Sequence, residues 1–275
     1  GIFVDIDGYK ESAMSLYELI LDHMLEFSIT ENQFDAIKDK VVRDYENFSL
    51  SDAYMQTREL APDLFYETKY SWKETLPVAK GLSLSAVQEY SRSLYKETFL
   101  EALVYGDFSE KDGKKVVDLF NQKTSTTPIQ KEEAFEIKYL SQDKPETIQY
   151  VQKLLVNNSC FFRKYEAGKD SPETRAILTL MSKAIEQPFY TEMRTNQQLG
   201  YIVWSYPRGY DDTYHLNFLI QSGGYSANEL ASRANSFISE TPSFIRDLDD
   251  ATFQGLIESS IEQLEKKPMS ISERA

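Results

Sequence analysis

The sequence has 275 residues, of which 41% are hydrophobic and 27% charged, and its formal net charge at pH 7 is −14. This composition is ordinary for a folded soluble protein, argues against disorder, and suits one large domain or two smaller ones. The acidic balance repels phosphate backbones, which excludes nucleic acid as an expected partner. No apolar run approaches the ~20 residues that a bilayer requires, so we expect no membrane span.

The first half of the chain is predicted to be mostly helical. Residues 2–7 predict a strand that ends at Gly8, and two amphipathic helices follow, the second begun by a capping box at Thr30 and Gln33. Helical patterns then occupy residues 52–68, the region after a further capping box at Ser85 and Gln88, and residues 110–121. Residues 99–106 predict a buried strand, and the polar segment 124–129 is the predicted linker.

The second half alternates predicted strands with long helices. Strand patterns lie at residues 132–140, 148–156, 160–167, 201–206 and 214–221, with a polar turn at 208–212 between the last two. A helix begins at Ser171, an N-cap followed by proline, and continues past a kink near Pro188 to about residue 193. Helices at 227–247 and 250–266 follow, the second capped by Asp249 or Asp250. The pattern is typical of an α+β fold with antiparallel hairpins.

An internal repeat is visible in the spacing of two landmarks. Tyr9 and Tyr225, each after a glycine, are 216 residues apart, and Phe34 and Phe253, each in a helix after a cap, are 219 apart. Residues 1–49 would then match residues 216–267, in repeats of a little over 200 residues. The alternative is that strand–helix–helix units recur by chance.

The histidines do not form a zinc-peptidase motif. The motif H-x-x-E-H needs two histidines one helical turn apart, but the chain has only His23 and His215. His23 and Glu26 satisfy H-x-x-E, with Phe27 in the place of the second histidine. We therefore predict that Glu26 is a solvated helix residue and that His215, which opens a strand, lies at the surface or at an edge. No Gly-x-Ser-x-Gly elbow or glycine-rich phosphate loop is present.

The single cysteine, Cys160, allows neither an internal disulfide nor a cysteine-based metal site. It adjoins Phe161 and Phe162, which indicates a buried thiol rather than a nucleophile. The lack of disulfides fits the cytosol and equally a cysteine-poor periplasmic enzyme, and we expect a periplasmic or secreted location. The chain opens in a strand-like segment without a signal peptide, so we expect it to be part of a longer protein.

One junction, residues 194–207, has no counterpart elsewhere in the chain. A helix runs into Arg194, a polar turn contains Gly200, and a strand leaves from Tyr201. This order brings an arginine and a tyrosine together with backbone groups free to meet a ligand. The alternative is structural: Arg194 stabilises a helix C-terminus and Tyr201 packs in a sheet.

The same junction carries a family resemblance. R-T-x-x-Q-L-G-Y-I-V at residues 194–203, followed by F-L-I-Q-S at 218–222, resembles the C-terminal half of the M16 metallopeptidases, the insulysin–pitrilysin group. Gly-Tyr at 8–9, Asn-Phe at 47–48 and the segment 101–106 resemble the preceding domain of that group. The resemblance implies partial repeats of the M16 (LuxS/MPP-like) unit, an antiparallel-rich sheet packed by long helices. Residues 1–123 would be the rear of the third unit and 130–275 the front of the fourth.

The resemblance also implies where the chemistry lies. In this family H-x-x-E-H lies in the first unit, and the helix from Ser171 carries Leu180–Ala184, without ligands, in the corresponding place. We therefore expect no catalytic residue, metal ligand or cofactor in this chain, with zinc in the N-terminal half of the parent protein. By the resemblance, Arg194 and Tyr201 are substrate-binding residues.

Two functions follow from the resemblance. The first is a non-catalytic wall of a peptide-degrading chamber in a zinc endopeptidase, inactive alone, with the N-terminal half of the same polypeptide and peptide substrates as partners. The second is a non-catalytic peptide-binding or scaffolding subunit.

Overall fold

The computed structural model describes residues 1–139, 147–210, 212–270 and 273. The chain divides into two compact units, one made of residues 1–42, 77–136 and 267–275 and the other of residues 43–76 and 137–266. The α-helices are α1 (Lys10–Leu25), α2 (Glu31–Phe48), α3 (Ala53–Leu60), α4 (Trp72–Gly81), α5 (Leu84–Ser93), α6 (Glu110–Thr124), α7 (Pro172–Tyr190), α8 (Ala227–Arg246) and α9 (Asp250–Glu265). The strands are β1 (Glu97–Thr98), β2 (Thr127–Pro128), β3 (Ser159–Lys169), β4 (Ile202–Tyr210) and β5 (Thr213–Ser222).

The second unit is built on an antiparallel sheet in the order β3-β5-β4. Helices α7 and α8 pack on one face, where Phe189 meets Phe218 edge-on with ring centroids 5.1 Å apart. The apolar core on this face comprises Phe161, Leu178, Ile185, Phe189, Met193, Leu199, Val203, Leu216, Phe218, Ile220, Leu230 and Ala234. The predicted α+β class, an antiparallel sheet packed by long helices, is confirmed.

The other face of the same sheet is covered by α3. Tyr54 lies edge-on to Trp204 with centroids 5.4 Å apart, and its backbone N–H donates to the side-chain oxygen of Gln221 at 2.8 Å. Because side chains alternate along a strand, this second face carries Lys164 of β3 together with the polar His215 of β5. One face of the sheet is thus apolar and the other is polar and aromatic.

The prediction that His215 lies at the surface or at an edge is wrong. The side chain is fully buried, because β5 is the central strand of the sheet. Its Nε2 lies 2.7 Å from the hydroxyl of Thr213, and the rings of Tyr139 and Tyr210 pack edge-on to the imidazole. Burial, and secondarily the charge of Lys164, lower the pKa of His215 to about 3, so the ring is neutral near pH 7.

In the first unit, α1 packs against α6. The hydroxyl of Tyr17 donates to the carbonyl of Val116 at 3.5 Å. The ammonium of Lys123 lies 3.1 Å from the carboxylate of Glu18 and 2.5 Å from that of Asp22. Strands β1 and β2 form a short parallel pair in this unit.

Most predicted helix starts are confirmed. Thr30 and Gln33 form the predicted capping box, with backbone-to-side-chain bonds of 2.9 and 3.3 Å. Ser171 and Asp249 each accept from the backbone N–H three residues on, as N-caps do. The predicted capping box at Ser85 and Gln88 is wrong. The N-cap of α5 is Ser83, whose backbone is extended, and Ser85 already lies inside the helix.

Four predicted strands are absent from the described residues. Residues 2–7, 99–106, 148–156 and the described part of 132–140 form no ladder, although Tyr139 makes an isolated bridge to Tyr66. Leu140 of the segment 132–140 and Asp211 of the predicted turn at 208–212 lie outside the described residues. A strand needs a neighbour for its backbone hydrogen bonds, and these segments have no ladder partner in the described ranges. Leu103, predicted to be buried, is 76% exposed.

The structure has a helix pair at each of the two positions where the predicted repeat requires one. Helices α1 and α2 correspond to α8 and α9, and the second helix of each pair begins after a capped turn, at Thr30 and at Asp249. The strand of the repeat differs: β5 precedes Tyr225, whereas residues 2–7 before Tyr9 form no strand. No helix in the described ranges is long and apolar enough to cross a membrane.

Candidate functional site

The junction that the sequence singles out begins with a change of helix type. Helix α7 ends at Tyr190 and continues as a π-helical turn, Thr191–Asn196. The backbone N–H of Gln197 donates to the carbonyl of Glu192, five residues earlier, at 3.0 Å. Single π-helical turns inside helices are frequent at functional sites because they displace the side chains that follow.

Arg194 and Tyr201 lie against each other at this junction. Arg194 donates from Nη1 to the carbonyl of Gly200 at 3.1 Å and to that of Tyr201 at 2.8 Å. Its guanidinium carbon lies 4.4 Å from the centroid of the Tyr201 ring, a cation–π distance. The structure therefore brings together the two residues that the sequence pattern identified.

Tyr201 does not pack in the sheet. Its side chain is 83% exposed, and it precedes the first residue of β4. Arg194 is half-buried and caps carbonyls of the turn rather than those of the preceding helix. The purely structural interpretation thus accounts for the position of Arg194 but not for the exposure of Tyr201.

Gly200 fixes the turn against the central strand. A Cβ at this position would overlap the backbone carbonyl oxygen of Gln221 on β5, so only glycine permits this approach. Two residues earlier Gln198 adopts φ +52°, a left-handed conformation, while Leu199 is buried in the core. The turn is therefore packed against β5 at Gly200 and against the core at Leu199, and its carbonyls at Gly200 and Tyr201 accept from Arg194.

Glu192 braces the same turn, and sequence reasoning missed it. Its two carboxylate oxygens accept from the side chains of Asn196 at 2.7 Å and Gln197 at 2.8 Å. Those donors lower the pKa of the Glu192 carboxyl below its usual value. Gln197 in turn accepts from Arg233 of α8 at 2.9 Å. The signal in the sequence was an acid followed four and five residues later by two amides at a helix end.

The chemistry available to this pair is hydrogen-bond donation. The guanidinium stays charged at any physiological pH and has donors but no acceptor. Among the described residues only Nη1 of Arg194 has a partner, which leaves its other N–H groups to donate. The exposed phenol of Tyr201 can donate beside it. Such a pair suits a carbonyl or carboxylate oxygen.

The other candidates from the sequence have structural surroundings. No group of three His, Cys, Asp or Glu side chains that could hold a metal occurs in the described ranges. His23 is exposed and its Nδ1 contacts the carbonyl of Leu19 at 2.8 Å, while Glu26 lies beyond the end of α1. Cys160 is half-buried rather than buried as predicted, and desolvation raises the pKa of its thiol to about 11, which does not suit a nucleophile.

Two family models match separate parts of the chain. One is described as the middle or third domain of peptidase M16 and matches residues 1–78. The other is described as the C-terminal lobe domain 4 of proteins like the PQQ synthase PqqF and matches residues 180–275, which include Arg194 and Tyr201.

Curated proteins align with nearly the whole chain. It is 25% identical to the insulin-degrading enzyme of Homo sapiens over 279 residues, which covers 99% of this chain and 27% of that protein. It is also 25% identical to a nardilysin-like protein of Arabidopsis thaliana, covering 97% of this chain and 27% of that protein. The chain thus spans little more than a quarter of the length of these relatives.

A solved structure of pitrilysin has the same fold. It superposes with a TM-score of 0.81 at 19% identity and covers 97% of this chain and 28% of that one. The order of the two family models, the alignments and the shared fold confirm the resemblance seen at residues 194–203. These agreements identify the chain as a homologue of the M16 peptidases of the insulysin and pitrilysin group, matching the region of their third and fourth domains.

Proposed function

We propose that this chain forms the non-catalytic wall of a peptide-degrading chamber in a zinc-dependent M16 endopeptidase. Arg194 and Tyr201 contact the substrate there. The N-terminal half of the same polypeptide and peptide substrates are its partners. The relatives that carry peptidase names are about four times as long as this chain, so the activity belongs to the whole protein.

The observation that supports this proposal most is the exposed arginine–tyrosine pair. A guanidinium 4.4 Å from a tyrosine ring that is itself 83% exposed places two hydrogen-bond donors side by side. Gly200 and the π-helical turn hold that geometry before any ligand arrives. Rigid donors lose little freedom on binding, which is the physical requirement for transition-state stabilisation.

The role of the pair would be to stabilise charge on the substrate. When a peptide bond is hydrolysed, the carbonyl oxygen gains negative charge, and donors aimed at it lower the barrier. Removing one such donor typically costs about 3–4 kcal/mol, or a factor of roughly 10²–10³ in kcat. The described residues do not fit a zinc site, so we derive no step through zinc from this chain; the metal would be held by the N-terminal half.

A direct test uses the whole protein that contains this chain and the 275-residue chain side by side. With an unstructured peptide as substrate, we expect the whole protein to cleave, a zinc chelator to abolish cleavage, and the chain alone to cleave nothing. Zinc-dependent cleavage by the chain alone would contradict the assignment of a non-catalytic wall. A whole protein that binds the peptide without cleaving it would instead establish the alternative, a scaffolding subunit.

A further inference from the structure

A cleft in the second unit lies on the polar face of the sheet, away from Arg194 and Tyr201. It has a volume of about 380 Å³ and is bounded by β3, β4, α3 and the short 3-10 helix Ala61–Leu64 that follows α3. Three basic side chains line it: Arg58 from α3, Lys164 from β3 and Arg208 from β4. The rest of the lining is largely aromatic and includes Phe65, Tyr66, Phe162, Tyr206 and Tyr210.

The three cations contrast with the acidic chain around them. Within the described ranges, none of Arg58, Lys164 and Arg208 has a carboxylate oxygen within 4.0 Å. Glu59 also lines the cleft, but its carboxylate lies 3.4 Å from the ammonium of Lys69. In a protein of net charge −14, a cleft lined by two guanidinium groups and a lysine favours an anionic ligand.

Lys164 is held in place by aromatic rings. Its Nζ lies 3.6 Å from the centroid of Tyr210 and 3.9 Å from that of Phe65, and it donates to the hydroxyl of Tyr139 at 2.7 Å. The ammonium therefore has a defined position at the wall of the cleft, which lowers the entropy that a ligand must remove on binding.

Buried polar atoms lie in the sheet beneath the cleft. Asn217 of β5 is paired in register with Lys164 on one side and Tyr206 on the other, both of which line the cleft. Asn217 is fully buried and donates to the carbonyl of Tyr206 at 3.2 Å, yet its side-chain oxygen has no partner among the described residues. Buried polar atoms without a partner are few in folded proteins, and this one lies next in register to two residues that line the cleft.

We propose that this cleft binds a carboxylate attached to an aromatic body, with Arg58, Lys164 and Arg208 contacting the carboxylate and the surrounding rings contacting the body. Guanidinium groups match the fork of a carboxylate, and a largely apolar cleft with few polar groups is the usual form of a small-ligand site. The carboxylate could belong to a free aromatic acid or to the C-terminus of a peptide that ends in an aromatic residue. The site stands independently of the role proposed for Arg194 and Tyr201.

The test is a titration of the 275-residue chain with N-acetyl-phenylalanine and with N-acetyl-phenylalaninamide, followed by calorimetry or NMR. The two probes have the same ring but differ in the carboxylate, so we expect the acid to bind at least about tenfold more tightly. Arg58→Gln and Arg208→Gln change exposed side chains, and each should weaken binding of the acid about tenfold. Lys164→Met should do the same, without weakening the amide.

Arg163→Gln is the matched control for charge. Arg163 precedes Lys164 on β3 and therefore lies on the opposite face of the sheet, where it contacts the ring of Phe161. This variant loses the same charge but should bind the acid as the wild type does. Equal weakening by Arg163→Gln would overturn the proposal, and so would equal affinity for acid and amide, or no binding of either probe.

Two further ligands distinguish the two sources of the carboxylate, a free aromatic acid and the C-terminus of a peptide. A ten-residue peptide ending in phenylalanine is compared with the same peptide carrying a C-terminal amide. Tighter binding of the free-acid peptide supports the site and assigns it to chain ends. Binding of N-acetyl-phenylalanine with no binding of the peptide supports the site and assigns it to small aromatic acids.

Discussion

At the residue scale, the geometry of the junction depends on Gly200. The residue has no room for a side chain, and the two carbonyls that hold Arg194 belong to Gly200 and its neighbour Tyr201. A change there would therefore disturb both the packing of the turn on β5 and the aim of the guanidinium. Arg194 donates to these carbonyls through Nη1 and has further N–H groups that can donate to a ligand.

We predict that Gly200→Ala lowers the free energy of unfolding by about 2–3 kcal/mol, because the new methyl group must displace the Gln221 carbonyl. Urea denaturation of the 275-residue chain measures this. The matched control is Gly255→Ala inside α9, where a Cβ meets nothing within 4 Å. Greater helix propensity should make the control neutral or more stable by up to about 1 kcal/mol. Equal midpoints for the two variants would contradict the close approach at Gly200.

Lys164 gives a prediction about pH. Burial, together with the positive charge of Arg208, lowers the pKa of Lys164 to about 7, while the carboxylate of Glu166 opposes the shift. The other titratable groups near Lys164 are Tyr139, Tyr210 and the neutral His215. Above that pH the unfolded chain binds a proton that the folded chain does not, so the free energy of unfolding should rise between pH 7 and about 9.

Lys164→Met should remove this rise, and the exposed Lys153→Met should leave it unchanged. The measurement is urea denaturation at several pH values, in which the slope against pH is compared between variants. A slope that is the same in Lys164→Met and in the wild type would show that Lys164 is not the titrating group.

Residue-scale features of the site were only partly predictable. The pairing of Arg194 with Tyr201 could be predicted, because a helix end, a short turn and a strand start leave the two residues few ways to separate. The burial of His215 could not, because it depends on β5 being the central strand, which no local pattern reveals. The aromatic surroundings of Lys164 could not be predicted either, because Phe65 and Tyr210, whose rings contact its ammonium group, are distant along the chain.

At the element scale, local chemistry determines where helices begin but not where strands form. The caps at Thr30, Ser171 and Asp249 were predictable because each bond spans three residues. The segments 2–7 and 99–106 have apolar strand patterns and yet lack a ladder in the described structure. A strand requires a partner, and partners are a property of the tertiary structure. Helix α4 was missed because Pro77 lies inside it.

The N-cap of α7 gives an element-scale prediction. The hydroxyl of Ser171 accepts from the backbone N–H of Thr174 at 3.1 Å, so Ser171→Ala should lower the free energy of unfolding by about 1 kcal/mol. Ser236→Ala, an exposed position inside α8, is the control and should be neutral or slightly stabilising. Chemical denaturation of both variants decides the matter. A loss in the control as large as that in Ser171→Ala would refute the capping role.

At the scale of the whole molecule, the chain matches two neighbouring domains of relatives that are much longer than it is. The two family models fall in the order third domain and then C-terminal lobe domain 4. The helix pairs α1–α2 and α8–α9 repeat at the spacing that the sequence shows, as expected if both domains derive from one ancestral unit. Similar helix pairs can carry different functional side chains, because function resides in sites rather than folds.

The most direct test of the central claim is the kinetics of Arg194→Ala and Tyr201→Phe in the whole protein with a peptide substrate. If both side chains donate to the scissile carbonyl, each variant should lose a factor of about 10²–10³ in kcat. Arg163→Ala and Tyr165→Phe are the controls, since they form another arginine–tyrosine contact, 5.8 Å apart, and should retain activity. Cleavage by Arg194→Ala and Tyr201→Phe at the wild-type rate would contradict the account.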